Sequence, residues 1–76
     1  MAEVTRTLDV RGQACPLPIV RASQAIKQLD SGQTLEVLAT DRGAISDFAA
    51  WSKTTGNPLL EHSEDGGILR FVLQKS

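Results

Sequence analysis

Hydrophobic positions along the chain follow two periods, one of two residues and one of three to four, and the changes between them mark out six elements. Residues 7–10 alternate, with Leu8 and Val10 on one side of a short strand. From Pro16 or Pro18 to about Leu29, Ile19, Ala22, Ile26 and Leu29 recur at helical steps, while Arg21, Gln24, Lys27 and Gln28 fall mainly outside that face. Asp30-Ser31-Gly32 ends this helix, with Gly32 as the expected left-handed C-cap. Residues 34–39, rich in Leu and Val, predict a second strand. Asp41 or a neighbour is then expected to cap a second helix. Its face is read as Ile45, Phe48, Ala49 and Ser52, and Gly56-Asn57-Pro58 stops it. A weak strand over 59–63, a hairpin signal at Glu64-Asp65-Gly66-Gly67 and a strong strand over 68–74 complete the chain.

The order β-α-β-α-β-β predicts an α+β fold: a two-layer sandwich with two helices on one face of a four-stranded sheet. Crossovers of this length permit parallel pairing and are expected to be right-handed. The 76 residues are read as a single domain, 1–76, without repeat, linker or low-complexity tract.

Charge and composition then narrow the function. A net charge of −1 with 22% charged residues offers no basic stripe, so direct nucleic-acid binding is disfavoured and stands only as a third reading. Phe48, Trp51 and Phe71 are too scattered to form a base-stacking platform. Nowhere is there an apolar run of about 18 residues, and the N-terminus lacks a basic segment followed by an apolar one. The expectation is a soluble cytoplasmic protein with no membrane association. One cysteine cannot close an internal disulfide, which points to a reducing compartment.

That cysteine, Cys15, lies in Gly12-Gln13-Ala14-Cys15-Pro16-Leu17-Pro18, just ahead of the first helix. Helix N-termini carry unpaired N–H groups and partial positive charge, which favour thiolate over thiol. The plainer reading is a small buried apolar residue. Proline is welcome in a helix's first turn, so Pro16 and Pro18 mark a helix start and favour the reactive thiol. Two registers fit. With Cys15 as N-cap, the Leu17 N–H is the natural partner of the sulfur. With Leu17 as cap and Pro18 as first helical residue, Cys15 stands in the entry loop, where Gly12 supplies a positive φ.

The residues Leu8-Asp9, Arg11-Gly12 and Cys15-Pro16-Leu17-Pro18 resemble the TusA-like (SirA-like) sulfur-carrier family, whose signature is Cys-Pro-x-Pro. The resemblance extends from Thr7 to Lys75, through Thr40-Asp41 and the closing residues 69–75. It implies a mixed four-stranded sheet with both helices on one side, Cys15 as the sulfur carrier and Pro16 and Pro18 as motif prolines. It also implies a cysteine desulfurase or rhodanese-like sulfur donor. The implied acceptors are a DsrE-type protein, a molybdopterin pathway or a tRNA-thiolation relay. Leu17 replaces an acidic residue of the tRNA-thiolation members and Arg42 a frequent proline, departures that bear on the partner rather than the class.

Elimination agrees. A thioredoxin-type dithiol needs a second cysteine. A zinc site needs about four ligands, and neither a metal nor a cofactor is expected. A cysteine hydrolase needs an oriented base; His62, the sole imidazole, is expected as a solvated strand-end residue, although a Cys–His dyad is the alternative. Covalent carriage of sulfur as a persulfide remains, with helix N–H groups able to steady the terminal anion. The competing reading is a non-catalytic interaction or regulatory module with a structural cysteine. Arg11, Arg21 and Arg42 are candidate contacts for acidic partners, and Trp51 is expected at the core edge.

Overall fold

A computed structural model describes residues 4–76 and contains β1 (Arg6–Asp9), α1 (Leu17–Ile26), β2 (Thr34–Ala39), α2 (Gly43–Thr55), β3 (Leu59–Asp65) and β4 (Ile68–Gln74). The sheet order is β1-β2-β4-β3. β1 runs parallel to β2, and β4 pairs antiparallel with both β2 and β3. The mixed sheet and element order are those expected from the sequence.

Alternation along β2 and β4 explains which side the helices cover. Leu35, Val37 and Ala39 pair with Leu73, Phe71 and Leu69, and all six are fully buried. They form one core with Ala22, Ala25 and Ile26 of α1 and Ala44, Phe48 and Trp51 of α2. The Phe48 ring lies 4.7 Å from Phe71 and 6.2 Å from Trp51, the latter edge-on. Such aromatic pairs add stability beyond their buried area. Trp51 joins this core at its edge, beside an open cleft, and its indole N–H donates to Ser23 Oγ at 2.9 Å, joining the helices.

Several boundaries differ from the sequence reading. The buried stripe of α2 is Ala44, Phe48 and Trp51, one residue out of phase with the expected face, and Ala49 is exposed. α1 ends at Ile26; Leu29 stays buried because a tighter turn follows, with Gln28 and Leu29 N–H groups bonded three residues back. Gly32 has φ 89°, but its N–H reaches the Lys75 carbonyl at 2.7 Å rather than a helix carbonyl. Gly56, with φ 79°, is the left-handed C-cap of α2. The hairpin turn is Gly66-Gly67, both at positive φ as a two-residue primed turn requires. β3 is an edge strand carrying Glu61, His62, Glu64 and Asp65, charges and polarity that discourage edge-to-edge pairing.

The parallel β1–β2 pair sets the functional geometry. Each strand runs into a helix, so the connections 10–16 and 40–42 emerge from the same end of the sheet. They are laced together: Val10 N–H to Leu38 O at 2.8 Å, Gly12 N–H to Thr40 Oγ1 at 2.8 Å and Cys15 N–H to Asp41 Oδ2 at 3.1 Å.

Candidate functional site: the Cys15 loop

The loop that presents Cys15 is built by a glycine and two prolines. Gly12 sits at φ 81°, a backbone conformation costly for other residues. The N-cap of α1 is Pro16 (φ −97°, ψ 15°), between the two expected registers. The Leu17 N–H bonds the Ala14 carbonyl at 2.9 Å rather than the sulfur, and Val20 N–H bonds Pro16 O at 3.1 Å. Pro18, the second helical residue, is fully buried and anchors the helix start in the core. Leu17 and Val20 point outward, 49% and 43% exposed.

Cys15 is exposed. Its thiol donates to Asp47 Oδ2 at 3.0 Å, and its backbone N–H to the Asp41 carboxylate. The bond to Asp47, burial and the negative charges of Asp47 and Asp41 together push the thiol pKa above its ordinary value. This reverses the polarisation expected from the helix N-terminus. Two carboxylates close to one sulfur outweigh about half a positive charge from a helix end, and Pro16 and Pro18 contribute no N–H groups to it.

Asp41 does not cap α2 with its side chain. Arg42 is the N-cap and has no side-chain cap bond; the Asp41 carbonyl accepts from Ala44 N–H at 3.0 Å, leaving the carboxylate for Cys15. The arginines expected to face acidic partners divide. Arg11 clasps Asp9 through its backbone N–H, Nε and Nη2 at 2.9–3.0 Å, holding that carboxyl down at about 2. Arg42 pairs with Glu64 at 2.7 Å. Arg21 lies farther along α1, in a cleft of about 250 Å³ lined also by Arg6, Gln24 and Gln28. The dyad weighed for His62 does not form: its ring stacks on Phe71 at 5.2 Å, while the sulfur bonds Asp47.

Asp47 is the site residue that sequence reasoning missed. It stands 32 positions beyond Cys15 and reads as an ordinary polar position of an amphipathic helix. The available signal was the topology itself: a parallel β1–β2 pair places the starts of both helices together, so a carboxylate one turn into α2 is within reach of the α1 entry loop.

Among the described residues, no group of three or more His, Cys, Asp or Glu side chains is placed to hold a metal ion. Nor, among the described residues, is any helix long and apolar enough to cross a membrane. A second cleft, of about 370 Å³, lies between Trp51, Ile26 and Lys75, and neither cleft is lined by Cys15. A sulfur on open surface suits chemistry with another macromolecule.

Comparison with known proteins agrees with this geometry. The chain is 54% identical over 70 residues to the putative sulfur carrier protein YrkI of Bacillus subtilis, covering 92% of this chain and 93% of that one. It is 47% identical to the sulfur carrier protein TusA of Allochromatium vinosum over the full length of both. The crystal structure of a SirA-like protein from Desulfitobacterium hafniense superposes with a TM-score of 0.82 at 25% identity, covering 92% of this chain and 96% of that one. A sequence model of the family described as sulfurtransferase TusA matches residues 6–75, and the chain belongs to that family.

Proposed function

We propose that this protein is a sulfur carrier that holds one sulfur atom as a persulfide on Cys15 and relays it to a protein acceptor. The observation that carries the reading is the sole thiol of a TusA-family chain, exposed at the head of α1 and outside either cleft. With no second cysteine, the persulfide cannot be discharged internally as a disulfide. Gly12, Pro16, Leu17 and Pro18 support the site: Gly12 and Pro18 shape the loop, Pro16 starts the helix, and Leu17 offers apolar contact beside the sulfur.

The donor is a cysteine desulfurase or a rhodanese-like protein, and the acceptor a DsrE-type protein or other protein thiol. Residues 1–76 act as one carrier domain in the cytoplasm, with no direct nucleic-acid binding. Intact-mass analysis after incubation with a charged desulfurase or rhodanese tests the reading. A gain of one sulfur, reversed by reductant and absent in a folded Cys15→Ser variant, supports it. Loading of that variant, or no loading of the wild type by either donor, moves the assignment to an interaction module.

A further inference from the structure

Asp47 comes from the body of α2, yet its carboxylate is spent on the Cys15 thiol of another element. The charged groups on the segments around the sulfur are Asp41, Asp47, Arg11, Arg42 and Arg21. Arg11 is engaged by Asp9, Arg42 by Glu64, and Arg21 lines a cleft that does not include Cys15; the charges that shift the thiol are the carboxylates of Asp47 and Asp41. A thiol reacts through its thiolate, and a hydrogen bond from S–H to a carboxylate opposes its formation.

We propose that Asp47 is a positioning residue that restrains Cys15 as a hydrogen-bonded thiol in the free protein, and that a docked sulfur donor releases it by supplying the carboxylate with another hydrogen-bond donor. The proposal rests on Cys15 being the sulfur-carrying residue. On release the Sγ proton passes to water. The thiolate attacks the outer sulfur of the donor's persulfide, R–S–SH. A new S–S bond forms at Cys15, the donor's S–S bond breaks, and its electron pair leaves on the donor cysteine as R–S⁻, which takes a proton from water. There is no net oxidation. A small electrophile has no surface with which to cover Leu17 and Val20 and displace the carboxylate. The restraint therefore acts on stray reagents and not on a docked protein.

Asp47→Asn and Asp47→Ser in the full chain test this, with two separate readouts. The first is the pH dependence of alkylation by iodoacetamide; the second is single-turnover loading by persulfide-charged rhodanese or desulfurase, followed by intact mass. The alkylation midpoint should fall in both variants. At neutral pH alkylation should quicken by about threefold per unit of fall, because a tenfold gain in thiolate is offset by roughly threefold lower nucleophilicity. Loading should not share this gain, because in the wild type the docked donor already frees the thiol, and in the variants it loses the carboxylate as a partner. An unchanged alkylation midpoint overturns the proposal, as does loading that quickens as much as alkylation does. Failure of the wild type to load from either donor removes the carrier reading and this proposal with it. That result is distinct, because the alkylation readout involves no sulfur transfer.

Discussion

The surroundings of Cys15 show how a residue's chemistry is decided by side chains far away in sequence. Asp41 and Asp47 lie 26 and 32 positions along the chain, one on its backbone N–H and the other on its sulfur. Asp41→Asn removes the weaker of the two negative influences on the thiol. The alkylation midpoint of wild type should lie above the ordinary thiol value of ~8.5 and should fall in the Asn variant, by less than in Asp47→Asn. A midpoint unaffected by Asp41→Asn would mean that its carboxylate serves the loop backbone alone. Cys15 and its prolines were legible from sequence because their meaning is local: a proline marks a helix start wherever it occurs. The protonation of the thiol was not legible, since it depends on which side of α2 meets the α1 entry loop. The same limit applied to Arg42, whose charge is answered by Glu64, 22 positions away.

At the level of elements, β2 and β4 have the ends expected from sequence because β-branched and aromatic runs end at turn residues. The helices were harder to place. In α2 the half-buried Ile45 drew the expected face one residue away from the Ala44-Phe48-Trp51 stripe. In α1 both registers missed because each assigned one proline to the helix start, whereas Pro16 caps and Pro18 packs inside. This division of labour has a measurable consequence. Pro18→Ala should cost about 1–2 kcal/mol through loss of a buried ring, read as a lower urea midpoint. The thiol's alkylation midpoint should stay in place, since neither Asp41 nor Asp47 depends on Pro18. A shifted alkylation midpoint would show that the cap geometry also controls the sulfur.

For the molecule as a whole, the face of the sheet away from the helices is held by charge. Glu36 of β2 accepts from Arg70 Nε of β4 and from Thr7 Oγ1 of β1 at 3.0 Å, and Arg70 also approaches Glu61 of β3 at 3.7 Å. The four strands are thereby tied across both edges. Arg70 holds the Glu36 carboxyl below its usual range. A lowered folded pKa stabilises the fold above the unfolded value of ~4.3, and this is lost as pH falls through the folded value. Glu36→Gln should cost about 1 kcal/mol at neutral pH and flatten the acid limb of stability as pH falls below the unfolded value of ~4.3. An unchanged acid limb would place that dependence on other carboxylates. The opposite sign holds at the sulfur. Folding lifts the Cys15 pKa, so the native state keeps its proton at a pH where the unfolded chain, far from Asp41 and Asp47, has released it. That contribution is complete below ~8.5 and disappears as pH rises through the folded value. The fold should therefore have an alkaline lability seated in one atom. Melting temperature should decline from pH 8 to 10 more steeply in wild type than in Cys15→Ser, whose hydroxyl can donate to Asp47 without titrating. Equal declines would show that this proton has no part in the thermodynamics of folding.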